Sequence, residues 1–91
     1  MTAIERVLDI VNEKGLHARA SAQFVEVVEA HDAEAVVSRD GMVVSGDSIM
    51  GLLMLGAAKG TQVELKTTGD QAEALADALT SLVTSRFGEK T

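Results

Sequence analysis

The sequence predicts an α+β fold in which helices cover one face of a four-stranded antiparallel sheet. Four segments alternate apolar and polar residues with the period of two that is typical of β-strands. Two longer segments carry apolar residues at helical spacing, and a short, almost wholly apolar segment lies between them. The predicted order is β-α-β-β-α-β-α, in one domain that spans residues 1–91.

The strands are identified from this alternation and from the turn residues beside them. In the first strand, Ile4, Leu8 and Ile10 share one face, and the residues between them face the other way. Asp40-Gly41 is a strong hairpin signal between the second and third strands. The predicted strands cover residues 4–11, 35–39, 42–45 and 62–67.

The helices are identified from apolar spacing and from residues suited to helix ends. The first is predicted from residue 18 to about residue 30, and the short second helix covers residues 49–55. The last is predicted to start at residues 69–70, with Arg86 near its end and Gly88 as its stop. Predicted buried positions are Ala18, Ser21, Phe24, Val25 and Val28 in the first helix and Ala72, Leu75, Ala76, Leu79, Leu82 and Val83 in the last.

The strand order in the sheet is left open by these patterns. Helices join the first strand to the second and the third to the fourth, so each of these pairs runs in one direction, and the central hairpin reverses it. The order 1-4-2-3 places the fourth strand antiparallel to both the first and the second. A ferredoxin-like order, 4-1-3-2, satisfies the same connections.

Composition excludes several classes of function. The formal net charge is −6 and the only aromatic residues are two phenylalanines, which argues against a nucleic-acid partner and favours a basic docking surface on a protein. The sequence has no cysteine, so disulfides, thiolate catalysis and cysteine-ligated zinc are excluded, and no metal or cofactor is expected. It shows no signal peptide, and its most apolar stretch, residues 49–58, is too short to cross a membrane. A cytoplasmic protein is therefore expected.

The segment Gly15-Leu16-His17-Ala18-Arg19 places a histidine where a predicted turn becomes the first helix. The first turn of a helix carries unpaired N–H groups and a partial positive charge, which attract anions and disfavour a protonated imidazole. A neutral imidazole is a nucleophile, and Arg19 adds a permanent positive charge. His17 and Arg19 are therefore candidates for handling a phosphoryl group, although a histidine near a helix start is more often a surface or capping residue. The segment holds no carboxylate that could activate water, which suits a carrier.

Two blocks of the sequence resemble the HPr family, the histidine-containing phosphocarriers of the phosphoenolpyruvate-dependent phosphotransferase system. Residues 15–19, followed by residues 22–25, are similar to that family's active-site segment, and residues 48–60 are similar to its regulatory-site helix. The separation of the two blocks also matches, and the similarity runs across essentially the whole chain. The resemblance implies an HPr-like open-faced β-sandwich with the sheet order 1-4-2-3.

The resemblance also implies a function. His17 would accept a phosphoryl group through Nδ1 from enzyme I of the system, Arg19 would stabilise it, and a IIA-type protein would receive it. Such a carrier is a covalent intermediate and does not turn over alone. Ala20 departs from the family, which commonly has proline there; alanine removes a constraint on φ, and we expect altered local rigidity with retained chemistry.

The second block supplies a regulatory and a docking hypothesis. Asp47 or Ser48 is available as a helix N-cap, and Ser48 also matches the serine that an HPr kinase phosphorylates in some branches of the family. Ile49, Met50 and Leu53 lie on a helix with too many apolar positions for one buried face, so part of it is expected to dock partners.

A ligand-binding module is the alternative function. A ferredoxin-like, small-molecule-binding regulatory protein has the same order of elements and needs neither His17 nor Arg19, so His17→Ala discriminates between the two. The second histidine, His31, lies among acidic residues near a helix end, where a surface position needs no special role. We expect a monomer, because repeated transient docking suits a free active face.

Overall fold

The computed structural model describes residues 3–91 and contains the predicted elements in the predicted order. A single 3₁₀ turn follows the last helix. The elements are β1 (Ile4–Asp9), α1 (Ala18–Glu29), β2 (Glu34–Arg39), β3 (Met42–Ser45), α2 (Ile49–Met54), β4 (Gln62–Thr68), α3 (Ala72–Thr84) and the 3₁₀ turn Arg86–Gly88.

The four strands form one antiparallel sheet in the order β1-β4-β2-β3. The strand β4 lies between β1 and β2, with Val63 opposite Leu8 and Leu65 opposite Val37. This arrangement confirms the order 1-4-2-3, and the ferredoxin-like order is wrong for this chain. Inserting β4 in the centre gives its alternating apolar residues a partner on both sides, and Val63 and Leu65 are both buried.

The core lies between the helices and one face of the sheet. The stripe of α1 is centred on Ala20, Phe24 and Val28, which follow each other at intervals of four residues and are all buried. The prediction that Ala18 is buried is wrong: Ala18 is exposed in the first turn of α1, at the edge of this stripe. Leu82 of α3 is half-buried, and the other predicted positions of both helices are buried.

The bounds of two elements, β1 and α3, differ from their predicted positions by about two residues. The strand β1 ends at Asp9 instead of residue 11, although Ile10 still exchanges backbone hydrogen bonds with Gly60 and Thr61. The helix α3 starts at Ala72, after a turn in which Gly69 has a φ of +116°. It ends at Thr84, so Arg86 and Gly88 belong to the following 3₁₀ turn. None of the helices within residues 3–91 is long and apolar enough to span a membrane.

Candidate functional site

The turn between β1 and α1 determines where His17 lies. Gly15 adopts a φ of +64°, and a Cβ at this position would lie 2.5 Å from the carbonyl oxygen of Ala57. The next residue, Leu16, is buried and donates its N–H to the same carbonyl at 2.9 Å. This turn therefore packs directly against the segment that follows α2, and only glycine fits at position 15.

His17 is the N-cap residue of α1. Its carbonyl accepts the first helical hydrogen bond, from the N–H of Ser21 at 2.8 Å, but its side chain makes no capping hydrogen bond. The first N–H groups of a helix have no carbonyl partner within it and attract negative charge. The ring is 26% exposed, so it is presented beside this positive end of the helix while remaining accessible.

The side chain of Glu89 meets the ring of His17 from the other end of the chain. The Nε2 atom of His17 lies 2.5 Å from Oε2 of Glu89, and Nδ2 of Asn12 donates to Oε1 of Glu89 at 3.2 Å. The hydrogen bond with His17 is the main cause of a lowered pKa for Glu89; the hydrogen bond from Asn12 and the charges of His17 and Lys14 add to it, and burial opposes it. Glu89 is therefore ionised near neutral pH.

Sequence reasoning missed Glu89. It is 72 positions from His17 in the chain and belongs to no local motif. The one available signal was Phe87, an apolar residue beyond the end of α3, which is buried despite its left-handed backbone. Burial of Phe87 turns the chain back towards the start of α1 and brings Glu89 to the histidine.

Asn12 links the turn to this C-terminal segment. It has no exposed surface, and its Nδ2 atom donates both to Glu89 and to the carbonyl of Gly15, the latter at 2.8 Å. Nearby, the N–H of Glu13 donates to the carbonyl oxygen of Thr91 at 2.7 Å. Two independent contacts thus hold residues 89–91 against the residues that precede His17.

No hydrogen bond or ion pair joins the side chains of Arg19 and His17 among the described residues. Arg19 is exposed in the first turn of α1, and within residues 3–91 no hydrogen bond or ion pair is seen for its guanidinium group. Residues two apart on a helix do not face each other. The role of Arg19 in stabilising a phosphoryl group therefore stays a prediction.

Ser48 caps α2, and the three apolar side chains of this helix that were predicted to dock partners are exposed. The Oγ atom of Ser48 accepts a hydrogen bond from the N–H of Gly51 at 3.0 Å. Ile49, Met50 and Leu53 are 40%, 69% and 37% exposed, so they form the apolar surface that the sequence predicted. We call these three side chains the α2 patch.

The segment that follows α2 lies beside His17. The residues that follow α2, Gly56, Ala57 and Ala58, line one shallow depression together with Leu16 and His17. His31 lies away from this region, at the far end of α1, where its Nδ1 atom contacts the carbonyl of Val27 at 2.7 Å. Residues 3–91 contain no cluster of side chains suited to hold a metal ion.

Comparison with known proteins identifies the family. The model of the PTS HPr component phosphorylation site matches residues 4–85. The phosphocarrier protein HPr of Neisseria meningitidis is 47% identical over 87 residues, covering 94% of this chain and 97% of that protein. The crystal structure of HPr-C-His from Thermoanaerobacter tengcongensis superposes with a TM-score of 0.92 at 38% identity, covering 97% of this chain and 99% of that one.

The fold and these matches thus place the chain in the class of phosphocarriers of the phosphotransferase system. The HPr of Pseudomonas putida, 45% identical over 92% of this chain and 94% of its own length, agrees with this class. The chain belongs to the HPr family.

Proposed function

We propose that the chain accepts a phosphoryl group on His17 from phospho-enzyme I, in a relay that starts from phosphoenolpyruvate, and passes it to a IIA-type acceptor protein. The observation that carries this proposal is the position of His17. Its ring is partly exposed at the N-cap of α1, and only Nε2 has a hydrogen-bond partner among the described residues. The other ring nitrogen, Nδ1, is the atom that the resemblance to the HPr family implies is phosphorylated.

The surroundings of the ring support a stable phosphorylated form. A phosphoryl group carries close to two negative charges near neutral pH, and the unpaired N–H groups of the first turn of α1 can donate to it. Arg19 has a long exposed side chain that can reach the same group. Each charge-assisted hydrogen bond contributes about 1.5–3 kcal/mol. The site would thus stabilise the phosphoryl group while it waits for an acceptor.

The α2 patch is the proposed docking surface for both partner proteins. Ile49, Met50 and Leu53 are exposed apolar side chains, and the residues after α2 border the depression beside His17. A partner that covers the patch would bring its own reacting group over the ring. The acidic net charge of −6 favours partners with basic docking surfaces. Two partners in succession need this face free, so the proposed state is a monomer in the cytoplasm.

Phosphorylation of Ser48 by an HPr kinase is the proposed regulation. A phosphate on Oγ would place a dianion at the edge of the α2 patch and weaken the binding of enzyme I more than it affects folding. Incubation with purified HPr kinase and ATP should label the wild-type protein and not Ser48→Ala. If the wild-type protein stays unlabelled while a known substrate is phosphorylated, this regulation is wrong.

The carrier function is tested by intact mass after incubation with phosphoenolpyruvate and enzyme I. We expect one acid-labile phosphoryl group on the wild-type protein and on His31→Ala, and none on His17→Ala. His31 is the matched control because it is the only other histidine in the sequence. The proposal fails if His17→Ala is still phosphorylated, or if no variant is labelled by an enzyme I that is active on another carrier.

A further inference from the structure

We propose that Glu89 is a positioning residue that selects the nucleophilic tautomer of His17. The inference deepens the proposed function, because its effect on rate requires that His17 accept the phosphoryl group. Its effect on the ring is a property of the unphosphorylated protein and can be measured separately.

The contact between the two side chains determines which nitrogen carries the proton. An ionised carboxylate can only accept hydrogen bonds, so the Nε2 atom of His17, 2.5 Å from Oε2, must be the donor. A neutral imidazole with its proton on Nε2 has a free lone pair on Nδ1. Glu89 therefore leaves unprotonated the nitrogen that has no hydrogen-bond partner among the described residues.

Asn12 fixes the direction from which Glu89 acts. The Nδ2 atom of Asn12 donates to Oε1 of Glu89 at 3.2 Å and to the carbonyl of Gly15 at 2.8 Å. Asn12 is completely buried, so it has little freedom to turn away. With Oε1 occupied by Asn12, the other carboxylate oxygen is the one presented to His17.

The transfer step needs no proton to leave the ring. The lone pair on Nδ1 forms the new bond to phosphorus, and the bond from phosphorus to the donor atom of enzyme I breaks, with its electron pair remaining on that atom. The proton on Nε2 stays between the ring and Glu89. The negative charge of Glu89 offsets the positive charge that develops on the ring as Nδ1 is phosphorylated.

Comparing Glu89→Gln with Glu89→Ala separates a positioning role from a packing role. If Glu89 only packs against the ring, Glu89→Ala should be the more damaging change; if Glu89 selects the tautomer, Glu89→Gln should be. In Glu89→Gln, the amide oxygen of the introduced side chain pairs with Asn12, so its NH₂ group is directed at Nε2 of His17. Nε2 must then accept, and the proton moves to Nδ1, where it blocks the lone pair. Glu89→Ala removes the contact without imposing this tautomer. The less conservative change should therefore be the less damaging one.

The experiment combines ¹⁵N NMR of the His17 ring with the initial rate of phosphorylation by enzyme I. We expect the Nε2–H tautomer in the wild-type protein and a shift towards Nδ1–H in Glu89→Gln. The rate should fall at least about tenfold in Glu89→Gln and less in Glu89→Ala; replacing the orienting carboxylate of a serine-protease triad by an amide costs about 10⁴-fold. Glu26→Gln, the same charge change at an exposed position of α1, should leave both measurements unchanged.

The inference is overturned if Glu89→Gln reacts as fast as Glu89→Ala or faster, or if its tautomer matches that of the wild-type protein. Circular dichroism of each variant shows that the fold is retained. If the tautomers change as expected but the wild-type protein accepts no phosphoryl group, the proposed function is wrong and the role of Glu89 in selecting the tautomer stands.

Discussion

Gly15 is the residue whose conformation has the largest consequence for the site. Its φ of +64° is unfavourable for other residues, and a Cβ would lie 2.5 Å from the carbonyl oxygen of Ala57. Gly56 has nearly the same backbone angle, with a φ of +60°, but nothing lies within 4 Å of the Cβ that it lacks. Substitutions at these two positions can therefore distinguish the cost of backbone strain from the cost of a steric clash.

We expect Gly15→Ala to destabilise the protein by about 2–4 kcal/mol and Gly56→Ala by about 1–2 kcal/mol. Both variants pay for the left-handed backbone, but only Gly15→Ala must also displace the segment that follows α2. Urea unfolding of the two variants measures the difference. Equal losses of free energy would show that the contact with Ala57 adds nothing.

The sequence is sufficient to single out His17 as a candidate, but not the residue that contacts its ring. His17 is visible because a glycine, a histidine and an arginine fall together at a helix start. Glu89 is invisible because the contact depends on the path of the chain after α3. Ala20 departs from the family's usual proline, and the apolar spacing does not place it among the buried positions of α1. Its complete burial depends on how α1 is rotated against the core.

At the level of elements, α2 is the least independent helix. It has six residues, fewer than two turns, and Leu52 is the only buried one. So short a helix is not stable by itself and depends on its cap and on the elements it packs against. Ser48 supplies the cap, and Gly51 lets the helix approach β3: a Cβ on Gly51 would lie 3.0 Å from Cβ of Val44. A side chain at position 51 would crowd Val44, so glycine favours this close packing.

Ser48→Ala should loosen α2 locally. Losing an N-cap costs about 1 kcal/mol, which corresponds to roughly fivefold faster exchange of the Gly51 amide hydrogen. Hydrogen exchange followed by NMR measures this amide directly. Ser45→Ala is the control, because the Ser45 hydroxyl donates to the exposed side chain of Asp47 and has no other hydrogen bond within residues 3–91. A similar acceleration in both variants would contradict a specific capping role.

The elements were predictable where side-chain alternation is local, and their ends were not. The strand β3 has the predicted bounds because a two-residue hairpin and a short alternating run define it. The predicted start of α3 at residues 69–70 is too early. In the structure the N–H of Gln71 donates to the carbonyl of Asp32, and this contact with a distant loop delays the helix to Ala72.

At the level of the whole molecule, the C-terminal segment and the turn before α1 meet at His17. The alternating patterns alone do not choose the strand order, since both orders satisfy the same connections; the resemblance of residues 15–25 and 48–60 to the HPr family is what implied the order 1-4-2-3. The order 1-4-2-3 and the left-handed turn at Phe87 together bring residues 89–91 against the turn before α1. The C-terminal segment is consequently part of the site. The free energy of unfolding should therefore depend on whether Glu89 is ionised.

This coupling predicts a specific dependence of stability on pH. The pKa of Glu89 is lowered from its ordinary value of 4.5, first of all by its hydrogen bond with His17. A carboxyl group whose pKa is lower in the folded state contributes stability that is present above the unfolded value and lost as the pH falls through the folded value. Glu89 should therefore stabilise the protein near neutral pH and cease to do so once the pH is below its lowered pKa.

The difference between the wild-type protein and Glu89→Gln isolates this contribution from that of the other acidic groups. Urea unfolding of both proteins, from about pH 7 down through the lowered pKa of Glu89, should show the wild-type protein more stable at the upper end. The two free energies of unfolding should converge at the lower end, because a protonated carboxyl group resembles the uncharged amide. Glu26→Gln, at an exposed position of α1, should show no such convergence with pH. A difference for Glu89→Gln that persists at the lower end would mean that the contact with His17 stabilises the fold independently of the charge on Glu89.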